Sequence, residues 1–79
     1  MMEYNNKAVA ITIRKLRIKN HQSQELLSSF AGIARSHLSM IESGKKQANF
    51  ETLWKLSLAF DMLPHELVKL IEDEAKDIT

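Results

Sequence analysis

The chain has 79 residues, of which 44% are hydrophobic and 27% charged, with a formal net charge of +1. This length fits one small domain, so we expect a single unit over residues 1–79, with its core at about 5–72, and no separate ligand-sensing domain. The absence of cysteine excludes disulfides and thiolate metal sites, and the polar first ten residues fit neither a signal peptide nor a membrane span, so we expect a cytoplasmic protein.

The charges are distributed unevenly along the chain. Residues 7–46 contain eight basic and two acidic side chains, a net charge of +6, whereas residues 47–79 contain three basic and seven acidic ones, a net charge of −4. A cationic half suits a polyanionic partner such as nucleic acid, although small proteins also show such asymmetry by chance.

Helical periodicity and cap residues predict the first two helices. Apolar residues recur at helical spacing within about residues 5–20, namely at Val9, Ile13 and Leu16. The next helix is short, because Ser23 is a good N-cap and Gly32 stops the helix soon afterwards.

The rest of the chain continues as helices joined by short connections. Leu38 and Ile41 lie on one face of a third helix at about 35–43. Asn49 caps a fourth helix, and Pro64 begins a fifth. The inward residues of these two helices are predicted to be Leu53, Leu56, Phe60, Leu67, Leu70 and Ile71. We therefore expect an all-α domain of five helices that frays at residues 73–79.

The second and third predicted helices, with the tight turn between them, form a helix-turn-helix, which seats its second helix in a DNA major groove. From about residue 11 to residue 70 the sequence resembles the Cro/repressor-type (Xre) helix-turn-helix family. The resemblance is carried by Arg14, Leu16-Arg17, Ser23-Gln24-Glu25, Leu27, Gly32-Ile33, Ile41-Glu42, Gly44-Lys45 and the segment 53–60. It implies a compact five-helix lambda-repressor-like domain that binds double-stranded DNA and needs no cofactor.

The start of the third helix is the predicted reading element, because residues there point at base edges. Within the family, this run is similar to that of restriction-modification controller proteins and small phage repressors. The DNA base-reading candidates are Arg35, Ser36, His37 and Ser39. Arg35 is the first of them, since arginine can pair with guanine O6 and N7; its alternatives are a phosphate contact or solvent. The serines can equally contact phosphate or water, and His37 can simply be exposed.

Other polar residues are predicted to hold the phosphate backbone without reading sequence. They lie at the start of the second helix and after the third: Ser23, Gln24, Ser43, Lys45 and Lys46. The positive end of the second helix dipole adds to the attraction. On the first helix, Arg14, Lys15 and Lys19 are expected to be solvent-facing charges, with a backbone contact as the alternative.

Five further positions have structural meaning within the resemblance. Arg17 and Glu42 correspond to an arginine and a glutamate that pair in this family, which implies a structural salt bridge between the first and third helices. Ala34 stands where a capping Ser, Thr or Asp is usual, so that cap is missing and the helix start can shift by a residue. Ser28 stands in place of an alanine, and Ala48 in place of a proline.

Surplus apolar residues predict a protein interface. A single motif binds DNA weakly, so we expect a homodimer that reads a palindrome. The predicted dimer interface on the fourth and fifth helices consists of Trp54, Leu58, Leu67, Val68 and Ile71. The alternative is that these residues complete a small core. Leu26 and Phe30 of the second helix are expected to pack against Tyr4 or Met1.

Other functional classes have weaker support. An enzyme is not expected, because the sequence has no paired carboxylates, nucleophile–base pair or phosphate-binding loop. No metal site is expected either, since His21, His37 and His65 are widely dispersed. The alternative function is an antitoxin or other interaction module that binds a partner protein through its apolar surface, with DNA binding secondary.

Overall fold

The computed structural model describes residues 3–78, and all regular secondary structure in that span is helical. The helices are α1 (Asn6–Lys19), α2 (Gln24–Ala31), α3 (Arg35–Glu42), α4 (Phe50–Ala59) and α5 (Pro64–Ile78). This architecture confirms the predicted all-α, five-helix fold. None of these five helices is both long and apolar enough to cross a membrane.

Local capping explains where the helices begin. Three N-cap side chains accept hydrogen bonds from backbone N–H groups two or three residues later: those of Asn5, Ser23 and Asn49. Before α5, the Leu63 N–H donates to Glu66 Oε1 at 2.7 Å. Such bonds satisfy the donors that a helix start leaves free. Because these signals are local, the predicted helix starts agree with the structure to within one residue.

Every helix contributes at least one buried side chain to a common core. The core residues are Val9, Ile13, Leu27, Ala31, Leu38, Ile41, Ala48, Leu56 and Leu67. Full burial of a Leu or Ile side chain stabilises a fold by about 1.5–3 kcal/mol. In this arrangement α3 packs against α1 and α2, while α5 packs against α1 and α4.

The end of α5 differs from the prediction. Residues 73–78 are helical rather than frayed, because this part of α5 packs against α1. Ala75 is buried there, and Lys15 Nζ donates to Glu74 Oε1 at 2.7 Å. Packing of this kind stabilises a helix beyond its local propensity. Thr79 lies outside the described residues.

Leu70 was predicted on the inward side of α5, and this prediction is wrong. Its side chain is exposed, because the inward face of the helix follows Leu67, Ile71 and Ala75, which are spaced four residues apart. Leu70 lies beside this row rather than on it.

The exposed side of α2 carries apolar side chains that Tyr4 does not cover. Tyr4 lines a groove with Ile71 and other residues of α5 rather than with α2. Phe30 is 62% exposed and Leu26 is also exposed, so their predicted contact with Tyr4 is wrong. Met1, the other predicted partner, lies outside the described residues.

Within residues 3–78, two residues other than glycine adopt left-handed backbone conformations at helix ends. They are His21, with φ 54°, after α1, and Asp61, with φ 58°, after α4. In each case the N–H of the following residue donates to a carbonyl of the last helical turn, at 3.0 Å and 2.9 Å respectively. This geometry closes the helix end and favours glycine, which adopts a positive φ without steric cost.

We expect the substitution His21→Gly to raise the free energy of unfolding by up to about 1 kcal/mol, because it removes the strain of a side chain at positive φ. Urea unfolding followed by circular dichroism measures the change. As a control, Lys19→Gly changes the last helical residue of α1 and should lower stability by up to about 1 kcal/mol, because glycine disfavours a helical conformation. Equal destabilisation by both substitutions would contradict this interpretation.

Candidate nucleic-acid interface

The turn between α2 and α3 has the geometry that the predicted motif requires. Gly32 ends α2 with φ 71°, where any other residue would be strained even though a Cβ would have open space. The N–H groups of Gly32 and Ile33 donate back to carbonyls of α2 at 3.2 Å and 3.0 Å. Ile33 then packs against the core, and α3 begins at Arg35.

One side of α3 is held in the core while its start faces solvent. The buried anchors Leu38 and Ile41 are at most 1% exposed. The four base-reading candidates lie together at the start of the helix and are called the reading surface: Arg35, Ser36, His37 and Ser39. All of them are exposed except the half-buried histidine. The helix is therefore held by one face and presents Arg35, Ser36 and Ser39 on the other, with His37 between the two.

The reading helix begins without a side-chain cap, as its departure from the family pattern predicts. Ala34 has an extended backbone and makes no cap hydrogen bond. Its carbonyl accepts from the Leu38 N–H at 3.1 Å, and the first helical residue is Arg35. The missing cap therefore does not shift the start of the helix.

The phosphate candidates at the start of α2 have different hydrogen-bonding capacities. Ser23 Oγ accepts from the Leu26 N–H at 3.0 Å, which leaves its hydroxyl proton available to a phosphate oxygen. Gln24 Nε2 donates to Glu42 Oε1 at 3.3 Å. Its second N–H can still donate, since an amide nitrogen carries two.

The candidates after α3 lie on a tight turn. The N–H groups of Lys45 and Lys46 both donate to the Met40 carbonyl, at 3.0 Å and 3.2 Å, and both side chains are exposed. No ion pair involving either lysine occurs in the described part of the chain. Ser43 is also exposed, but its hydroxyl donates to the Met40 carbonyl at 3.0 Å, so it offers an acceptor rather than the donor that a phosphate needs.

The structure brings Arg17 and Glu42 together in a bidentate ion pair. Arg17 Nε and Nη2 donate to the two carboxylate oxygens of Glu42 at 2.7 Å and 3.0 Å, and Nη1 donates to the Gln22 carbonyl at 2.8 Å. The two side chains are only 14% and 4% exposed. One guanidinium therefore joins α1, the α1–α2 connection and the end of α3. The contact with Gln22 was not predicted, because nothing in the sequence marks a backbone acceptor.

A second surface lies on α4 and α5. Of the residues predicted for the dimer interface, Trp54, Leu58 and Val68 are exposed and Ile71 is half-buried. Leu67 is a wrong prediction, because it is fully buried in the chain's own core.

The structure adds Phe50 to this second surface. Its ring meets that of Trp54 edge to face, with centroids 5.9 Å apart and planes at 75°, and both rings line a groove of about 410 Å³ beside the start of α5. The spacing of four residues from Trp54 is the sequence signal that identifies it. We call Phe50, Trp54, Leu58 and Val68 the apolar patch.

Within the described residues, no three His, Asp or Glu side chains are grouped so that they could hold a metal ion.

The chain is similar to known proteins in sequence and in fold. A family model described as helix-turn-helix matches residues 13–68. No curated protein matches the sequence. Among solved structures, the restriction-modification controller protein C.AhdI from Aeromonas hydrophila is 31% identical, with a TM-score of 0.74, and the match covers 78% of this chain and 94% of that one.

Two further structures are similar in fold at lower identity. The restriction-modification controller protein C.Esp1396I, described as a tetramer in complex with its natural 35 base-pair operator, is 18% identical with a TM-score of 0.83, and the match covers 92% of this chain and 96% of that one. The clp gene regulator ClgR from Corynebacterium glutamicum is 16% identical with a TM-score of 0.83, and the match covers 96% of this chain and 81% of that one. Together with the family match, these similarities confirm the resemblance found in the sequence.

The buried ion pair leads to a prediction about stability. We expect Arg17→Met to lower the free energy of unfolding by about 3–5 kcal/mol, because it leaves the buried Glu42 carboxylate without its cation. The double substitution Arg17→Met/Glu42→Leu should recover much of this loss, since an apolar pair avoids the desolvation of both charges. Urea unfolding measures the free energy of unfolding of the wild type, the single variant and the double variant.

The control for this prediction is Lys15→Met, which breaks the more exposed ion pair with Glu74 and should cost less than about 1 kcal/mol. A double variant no more stable than Arg17→Met alone would show that the loss comes from packing rather than from an uncompensated charge.

Proposed function

The chain belongs to the helix-turn-helix family, and we propose that it is a sequence-specific DNA-binding regulator of transcription. It acts as a single domain, reads a palindromic operator as a homodimer and catalyses no reaction. The observation that supports this proposal most is the reading surface, a group of polar side chains, exposed except for the half-buried His37, at the start of a helix whose other face is anchored in the core. Helices of this motif enter the major groove with that end toward the bases.

Arg35 is the residue proposed to carry most of the sequence discrimination. It is the first residue of α3, is exposed, and forms no ion pair within residues 3–78. A free guanidinium at this position can form two parallel hydrogen bonds to guanine O6 and N7. Ser36, His37 and Ser39 add contacts to neighbouring bases.

Phosphate contacts would supply affinity on both sides of the reading helix. Ser23 and Gln24 lie at the positive end of the α2 dipole, where backbone N–H groups and the dipole attract phosphate. Lys45 and Lys46 follow α3 as exposed charges without ion pairs. Such contacts fix the orientation of the protein on the duplex but carry no sequence information.

The apolar patch is the proposed dimer interface. Trp54 is 48% exposed and Leu58 is 58% exposed. Tryptophan is among the residues that contribute most to interface energy, and burial of a neighbouring leucine adds hydrophobic stabilisation. The proposed occupant is a second copy of the chain, because a two-fold dimer would bury the same patch on each subunit. The operator complex of C.Esp1396I, described as a tetramer, supports oligomeric binding. The two-fold symmetry of a dimer in turn calls for a palindromic operator.

The antitoxin or partner-binding alternative has one observation in its favour. Leu26 and Phe30 on α2 are exposed outside the apolar patch. A dimer formed through α4 and α5 does not account for them, so a partner protein is the second candidate for this surface.

The proposed function requires sequence-specific binding to DNA. Selection of bound duplexes from a random library should enrich a palindrome, and affinity for it should fall steeply with salt because phosphate contacts release counterions. Arg35→Ala should reduce the preference for this duplex over a non-specific one by roughly 5- to 150-fold for each half-site, because one bidentate pair is lost in each, and relax the preference for guanine at one position in each half-site.

The matched control is Lys19→Ala, which removes one positive charge from the end of α1 and should leave the sequence preference unchanged. Failure to enrich any sequence, with only weak salt-sensitive binding, would overturn the proposed function and favour the partner-binding alternative.

The second prediction concerns the dimer. Wild-type protein should have the mass of two chains in sedimentation analysis, and Trp54→Glu or Leu58→Glu should raise the dimer dissociation constant at least about 30-fold, because a charge is placed in a buried apolar contact. Phe30→Glu is the control, since it places the same charge on an equally exposed apolar residue outside the patch. A dimer weakened only by Phe30→Glu would move the interface to α2.

A further inference from the structure

A groove of about 510 Å³ lies between the start of α1 and the turn that follows α3. Lys7 and Arg14 line it on the α1 side, and Glu42, Ser43 and Gly44 line it on the other. No residue of the reading surface lines this groove. It is therefore a separate feature that adjoins the segment carrying Lys45 and Lys46.

The groove has an excess of positive charge. Lys7 and Arg14 are both exposed, and neither forms an ion pair or a side-chain hydrogen bond in the span from residue 3 to residue 78. The one carboxylate in the lining is that of Glu42, whose charge is already matched by Arg17 at 2.7 Å and 3.0 Å. Two cations in the groove thus lack a counter-charge.

The other basic residues of α1 lie in a different environment. Lys15 and Lys19 line a groove between α1 and α5, together with the carboxylates of Asp73, Glu74 and Asp77. Lys15 Nζ contacts Glu74 Oε1 there at 2.7 Å. The acidic helix α5 therefore compensates one side of α1 and leaves the side with Lys7 and Arg14 open.

We propose that this groove binds the DNA backbone, so that α1 contacts phosphates beyond those reached by the helix-turn-helix itself. The inference rests on the proposed function. Ammonium and guanidinium groups are the usual phosphate ligands of DNA-binding proteins. The location favours DNA over a free anion, because Ser43 and Gly44 form one wall and continue directly into the two exposed lysines. A backbone that follows those lysines would pass the mouth of the groove.

The salt dependence of DNA binding tests this proposal. The variant Lys7→Gln/Arg14→Gln is compared with the control Lys15→Gln/Lys19→Gln, which removes the same charge from the α5 side of the same helix. Each lost phosphate contact lowers the slope of log K against log salt by about 0.9, so the first variant should lose about 1.8 per chain. The control slope should equal that of the wild type. Thermal unfolding checks that both variants are folded, and Lys7→Arg/Arg14→Lys should retain the wild-type slope.

A second measurement locates the contact on the DNA. Duplexes with a single neutral methylphosphonate replacing one phosphate are scanned across and beyond each half-site. Wild-type protein should lose affinity at one or two flanking positions at which the Lys7→Gln/Arg14→Gln variant loses none. This pairing of a protein change with a DNA change separates a direct contact from a general effect of net charge.

The outcomes separate the inference from the proposed function. Equal slopes for the two double variants, or flanking positions to which both respond alike, would overturn the inference while leaving operator recognition intact. If selection enriches no operator, the slopes are measured on a random-sequence duplex, where the same difference of about 1.8 per chain is expected. Absence of binding to either duplex would overturn both proposals.

Discussion

The guanidinium group of Arg17 holds together the parts of the molecule that present α3. It donates to both oxygens of Glu42 at the end of that helix and to the Gln22 carbonyl in the connection before α2. The carboxylate is nearly buried, so its desolvation is tolerable only with this cation beside it. Leu38 and Ile41 supply the apolar burial on the same helix. Charge pairing and apolar burial thus act on the same helix.

The distribution of charge in space differs from its distribution along the chain. Residues 7–46 are strongly basic and residues 47–79 acidic, which suggests two opposite poles. In the structure, however, α5 packs against α1 and its Glu74 pairs with Lys15. The acidic half therefore neutralises part of the basic half, and the uncompensated cations are concentrated beside α3 and its following turn. A protein with a net charge of only +1 can in this way present a locally cationic surface.

The reading surface and the apolar patch lie on different helices that share one core. On α4 and α5, Leu56 and Leu67 point inward and are fully buried. Helical geometry then places Trp54, Leu58 and Val68 outward, away from those anchors. Because α3 packs against α1 and α2 rather than forming part of the patch, a partner covering the patch need not cover the reading surface. The fold thus has room for two interactions at once despite its small size.

Helix positions, caps and the helix-turn-helix could be predicted from the sequence, because their signals act over three or four residues. The Ser23 side chain accepts a hydrogen bond from the first turn of α2, and Gly32 ends that helix because it adopts a positive φ. The family resemblance also paired Arg17 with Glu42. Only the tertiary structure decided that Leu67 is buried and Leu70 exposed, and that α5 continues to Ile78. It also decided which cations of α1 have partners, since Lys15 meets Glu74 across 59 positions of sequence. Local hydrogen bonding and periodicity can be read along a chain, whereas burial and charge compensation depend on which distant helices pack together.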